Sequence, residues 1–200
     1  LAANGIKVYI YPELVPTPML SFAVRKLHCS SGIIITASHN PAKYNGYKCY
    51  DPAGFQMTEE AAQATYECIQ KVDMFSDIKS MPFDEAMAKG LIEYIPDSVV
   101  EEFYSLVMQR PINPEVSKRS DIKIIYTPLN GTGNIPVRTI LSRAGFKNVS
   151  VVKEQEMPDG KFPTCPYPNP EIRQVFECGL KMTETEKADL MLATDPDCDR

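Results

Sequence analysis

The sequence predicts a pair of α/β domains, with mixed or parallel sheets covered by helices. Three observations predict it. Short apolar, β-branched runs alternate with amphipathic segments; the alternation breaks off in a polar stretch twice interrupted by Pro, residues 110–121, and then restarts; and each half carries one unusual polar loop just past a strand. The boundary is expected in that polar stretch, giving domains over residues 1–110 and 111–200.

In the first half, residues 7–11 read as a short strand. Thr17-Pro18 then supplies an N-cap and a Pro at the first helical position for a helix over 19–27. The run Gly32-Ile-Ile-Ile-Thr36 is continuously apolar, as expected of a strand covered on both faces in a parallel sheet. Strand, helix and strand predict a βαβ unit, whose loops at the carboxyl ends of strands usually carry chemistry. Thr58 caps a helix with Glu59 and Glu60 in its first turn, and Ala62, Tyr66, Ile69 and Val72 predict its buried stripe. A further helix is expected over 98–108, with Val100, Phe103 and Val107 inward.

In the second half, 122–127 is a strand, Asn134 caps a helix that begins at Pro136 and ends before Gly145, and 149–152 is a strand. A Pro-rich loop over 162–170 leads to a helix over 171–182. The buried strand 189–194 then ends in the acidic sequence Asp195-Pro-Asp-Cys-Asp-Arg200.

Composition narrows the class of function. The chain is 44% hydrophobic and 24% charged with a net charge of -5, and its Lys and Arg residues are dispersed, so no basic stripe for nucleic acid is present. Its apolar runs fall far short of the roughly 20 residues a membrane helix needs, and the first residues lack the regions of a signal peptide. The six cysteines form no CxxC pair and no cluster with His28 or His39, which predicts reduced thiols and a cytoplasmic location. The chain opens on Leu1 and closes on Arg200 inside a charged motif, so a piece of a longer protein is expected.

Two loops carry candidate chemistry. Thr36-Ala-Ser-His-Asn-Pro41 reads either as a polar turn or as a loop presenting Ser38 as a nucleophile. In the second reading His39 and Lys48 are the nearest groups for proton transfer or charge neutralisation, which phosphoryl transfer requires. Asp195, Asp197 and Asp199 alternate, so an extended chain would turn all three the same way. Carboxylates this close repel and raise one another's pKa unless a cation neutralises them. Mg²⁺ suits such oxygen ligands beside a phosphate; a solvated acidic turn is the alternative, while Arg200 stands where a calcium-binding EF-hand wants Gly. The turn Asn130-Gly-Thr-Gly133 could cradle phosphate or simply serve backbone geometry.

Thr36-Ala-Ser-His-Asn-Pro41 resembles the phosphoserine loop of the α-D-phosphohexomutases, and Asp195 to Arg200 resembles their DxDxDR metal loop. The segment Ala42-Lys-Tyr-Asn-Gly-Tyr-Lys48, the turn Thr127-Pro-Leu-Asn-Gly-Thr-Gly133 and the loop from Phe162 to Glu171 are similar to the phosphoglucomutase branch of that family. The resemblance implies a four-domain architecture, of which this chain covers part of the first domain and most of the second. It implies that Ser38 is the phosphorylated serine and gives one oxygen to Mg²⁺, with Asp195, Asp197 and Asp199 as the other protein ligands. Lys48 would be the general base, His39 a donor beside the phosphoryl group, and Arg200 a phosphate partner. The implied reaction is reversible transfer of a phosphoryl group between positions 1 and 6 of glucose phosphate, with hexose 1,6-bisphosphate as intermediate and activator. Mannose, pentose and amino-sugar phosphates are the alternative substrates, and a non-catalytic module binding sugar phosphate and metal is the alternative of another class. With the third and fourth domains of the architecture absent, the fragment alone is expected to be inactive.

Overall fold

The computed structural model describes residues 1–200. Its first half contains two small two-stranded sheets. Strand β1 (Val8–Ile10) pairs in parallel with β4 (Ile92–Tyr94), and β2 (Gly32–Ile35) pairs antiparallel with β3 (Tyr47–Tyr50). Helix α1 (Thr17–Lys26) follows β1, and α2 (Glu59–Ile69) and α3 (Phe83–Ala88) lie between β3 and β4. Helix α4 (Asp97–Met108) closes this half, burying Phe22, Ala23, Ile95 and Val99 together. Phe103 tilts against Phe22 with ring centroids 5.6 Å apart, a favourable aromatic arrangement.

In the second half, β5 (Lys123–Thr127) lies between β6 (Asn148–Val151) and β7 (Leu190–Ala193), all parallel. The short α5 (Pro114–Arg119) precedes β5. Helix α6 (Asn134–Ala144) links β5 to β6 and ends at the left-handed Gly145, while α7 (Glu177–Glu186) leads into β7. As the central strand, β5 is buried along Ile124, Ile125, Tyr126 and Thr127. Beside it, the fully buried Gln155 accepts from Thr127 Oγ1 at 2.6 Å and donates to Thr164 Oγ1 and the Val175 carbonyl. That pairing offsets the cost of burying an amide and ties the Pro-rich loop to the sheet.

Several expectations are corrected. The βαβ unit does not form, because β2 pairs with β3 across the loop that follows it while β1 pairs with β4. A β-branched run favours a strand but does not name its partner. Nor is β2 covered on both faces: Ile35 is 58% exposed. Helix α2 is capped by Thr58 as expected, yet Tyr66, Ile69 and Val72 are all exposed. An amphipathic pattern specifies a face, and burial also needs a surface opposite it. On α4 the deepest residues are Val99 and Tyr104 rather than Val100, Phe103 and Val107, because the helix packs against both α1 and α6. The polar stretch after it includes α5. The helix expected over 171–182 starts later, after a 3-10 turn over Arg173–Phe176. Asn169 Oδ1 accepts from the Glu171 amide at 3.0 Å, a local turn that competes with helix.

Candidate active site

The order β6-β5-β7 reverses the chain's direction of travel across the sheet between β5 and β7, so the loops leaving those two strands meet at their carboxyl ends, where α/β sheets usually carry their chemistry. Those loops are 128–133 and 195–200, and they are packed tightly together. A Cβ at Gly131 would lie 2.3 Å from Pro196 Cα, and one at Gly133 would lie 2.5 Å from Tyr126 OH. The Thr132 amide donates to the Pro196 carbonyl at 2.8 Å. The Gly-rich turn thus serves as a close-fitting support for the acidic loop.

The acidic loop is a turn rather than an extended strand, closed by the Cys198 amide donating to the Asp195 carbonyl, with Cys198 in the left-handed region. Turning brings carboxylate oxygens of Asp195, Asp197 and Asp199 within 4.8 Å of one another, the first two buried and the third exposed. Asp195 Oδ1 accepts from the amides of Asp199 and Arg200 at 3.1 Å each. Burial first, and Asp197 second, push the Asp195 carboxyl up to about 6. At Asp197 burial pushes in the same direction, but the neighbouring Asp195 carboxyl and the Lys48 charge outweigh it and hold that carboxyl below the usual range.

The first half supplies the serine. Ser38 stands in the loop between β2 and β3 with φ 53°, a left-handed conformation that costs a non-glycine residue roughly 1–2 kcal/mol. Its amide donates to Thr36 Oγ1 at 2.8 Å, which holds the turn. Ser38 Oγ then lies 3.2 Å from Asp195 Oδ2 and 3.1 Å from His39 Nδ1. Lys48, on β3, reaches Asp197 Oδ2 at 3.4 Å. The same oxygen accepts from Thr36 Oγ1 at 3.2 Å and Thr17 Oγ1 at 3.3 Å. Asp197 Oδ1, by contrast, is buried with no partner.

Ser38, His39, Lys48 and the three aspartates therefore converge from two halves of the chain. Arg200 does not point its guanidinium at this group; it pairs with Glu171 at 3.0 Å. The residues present fit a hard divalent cation. Three carboxylates each bring an oxygen within 4.8 Å of the others, and a buried carboxylate oxygen without a partner is costly unless something positive completes it. Thr17 was expected to cap α1, but Pro16 takes that position and Thr17 faces the acidic loop instead. A Thr-Pro pair at a helix start reads as a cap in any sequence, so its signal pointed elsewhere.

Two family models match most of the chain. Residues 1–75 match phosphoglucomutase/phosphomannomutase alpha/beta/alpha domain I, and residues 101–200 match alpha/beta/alpha domain II. The chain belongs to the phosphoglucomutase/phosphomannomutase family. It is 38% identical over 200 residues to a phosphoglucomutase of Staphylococcus saprophyticus and 37% identical over 203 residues to one of Staphylococcus haemolyticus. Both matches take in the whole chain but only 36% of the relative, so the chain spans about a third of their length. A solved structure from Thermus thermophilus, provisionally named a phosphomannomutase, superposes with a TM-score of 0.80 at 26% identity over 100% of this chain and 42% of its own. The α/β character of both halves agrees with this membership, and the acidic cluster could hold a metal ion. No helix is long and apolar enough to cross a membrane.

Proposed function

We propose that the longer protein to which these residues correspond is a phosphoglucomutase. It would transfer a phosphoryl group between positions 1 and 6 of glucose phosphate through phospho-Ser38. The observation that carries the reading is the approach of Ser38 Oγ to 3.2 Å from Asp195 Oδ2, in a loop whose left-handed backbone at Ser38 sets the half-buried hydroxyl beside three clustered carboxylates. The glucose substrate rests on the names of the staphylococcal relatives.

In this reading Asp195, Asp197, Asp199 and Ser38 would hold Mg²⁺, which when bound would supply charge neutralisation for the phosphoryl oxygens and for the departing serine oxygen. The sugar 6-hydroxyl oxygen attacks phosphorus, the bond from phosphorus to Ser38 Oγ breaks, and Oγ retains the electron pair. Lys48 serves as general base for the hydroxyl proton in its neutral amine form, after leaving its ion pair with Asp197 and giving a proton to solvent, and His39, 3.1 Å from Oγ, donates beside the phosphoryl group. The hexose 1,6-bisphosphate so formed turns over in the cleft and returns its 1-phosphoryl group to Ser38. Arg200 would leave Glu171 to pair with phosphate. We place the domain boundary at 110/111 and the protein in the cytoplasm. Net turnover is proposed to need the parts of the relatives that extend beyond this match, since holding the substrate in two orientations supplies up to roughly 7–11 kcal/mol of barrier lowering.

Intact-mass and phosphopeptide analysis of the longer protein, incubated with hexose 1,6-bisphosphate and Mg²⁺, tests the assignment. Phosphate is expected on Ser38. Its absence there would remove the nucleophile, and a coupled dehydrogenase assay comparing glucose and mannose 1-phosphates would decide the sugar.

A further inference from the structure

We infer that Thr17 is a positioning residue for the metal site, latching the first half of the chain to the Asp197 carboxylate and coupling that docking to cation affinity. The inference rests on the proposed metal site and extends it to a residue outside the serine and acidic loops.

Thr17 opens α1 and is only 5% exposed. It makes two hydrogen bonds to one residue 180 positions away. Its amide donates to the Asp197 carbonyl at 2.9 Å, and its Oγ1 donates to Asp197 Oδ2 at 3.3 Å. The amide at the first turn of a helix has no partner within the helix, so α1 itself leaves this donor free. The positive end of the helix dipole also faces the acidic loop.

The arrangement at Asp197 is asymmetric. Oδ2 collects Thr17 Oγ1, Thr36 Oγ1 and Lys48 Nζ, from three separate places in the first half, whereas Oδ1 is buried and bare. Donors on one oxygen fix the rotation of the carboxylate and leave the other oxygen to the cation. Groups that orient a metal ligand in this way commonly contribute 10–100-fold in metal affinity. By linkage, a cation bound at Asp197 strengthens the contact with Thr17, because only the docked arrangement offers the oriented carboxylate.

The test uses the longer protein. Mn²⁺ binding is followed by electron paramagnetic resonance and Mg²⁺ binding by calorimetry in the parent, Thr17→Val and Thr17→Ser. Valine keeps the shape and the backbone amide but loses the hydroxyl donor; serine keeps the donor. The expected result is about 10–100-fold weaker binding for valine and recovery to within about threefold of the parent for serine. Hydrogen exchange at the Thr17 amide in the parent, expected to slow on adding Mg²⁺, gives a reading that survives even if the valine variant fails to fold. Equal affinities in parent and valine variant, or a Thr17 amide indifferent to Mg²⁺, overturn the latch while leaving the metal site standing. A parent that binds neither ion overturns the metal reading and the latch together.

Discussion

The two loops of the site stand on different foundations. The acidic loop leaves β7, which flanks the buried central strand β5 of a parallel sheet, and it is braced by the turn through Gly131 and Gly133. The serine loop joins β2 to β3, a two-stranded antiparallel ribbon in which Ile35 and Tyr47 are 58% and 61% exposed. The comparison teaches a division of labour. Charges that repel one another need rigid packing to be held together, while the hydroxyl proposed to carry the phosphoryl group sits on the lighter element.

The largest expected effect separates the roles of the two loops. Ser38→Ala in the longer protein should lower turnover by at least about 10⁴-fold, as removal of a covalent nucleophile does, while Mg²⁺ affinity measured by calorimetry falls far less. Equal losses of both would mean that the serine loop serves the metal rather than the chemistry. Next comes the difference in foundations. Ile125, 1% exposed, should cost about 2–5 kcal/mol on substitution by Ala, whereas Ile35→Ala should stay within about 0.5 kcal/mol, both read from urea unfolding of the 200-residue chain. Comparable values would erase the contrast.

Gly131→Ala tests the brace. The added methyl meets backbone atoms of Pro196 that cannot rotate away, so a loss of about 1–3 kcal/mol is expected, together with weakened Mn²⁺ binding. Unchanged binding would show that the brace does not shape the acidic loop. The smallest effect concerns Glu156, which pairs with Lys153 and Arg138. Its hydrogen bond to Lys153, against a small upward push from burial and aided by Arg138, lowers its pKa below the ordinary 4.5. A depressed carboxylate stabilises the fold above its unfolded value and loses that contribution as pH falls through the folded one. Parent and Glu156→Gln melting temperatures should therefore differ slightly at neutral pH and converge below 4.5. A gap that persists in acid would assign the effect to packing.

The sequence by itself determined the local pieces. Apolar runs predicted β5, β6 and β7 to within a residue or two, Thr58 predicted the cap of α2, and Ser38 and the three alternating aspartates stood out because their loops resemble the phosphoserine and metal loops of a known family. It could not choose strand partners, since the pairing of β2 with β3 rather than β1 is a property of where segments meet. Tertiary structure alone decided that Tyr66 and Ile69 would lie exposed, that Arg200 would rest on Glu171, and that Thr17 would turn from its own helix to Asp197. Each of these depends on a group distant in sequence. Local patterns fix backbone preference, but a hydrogen bond across 180 residues exists only when the folded chain brings its two ends within about 3 Å.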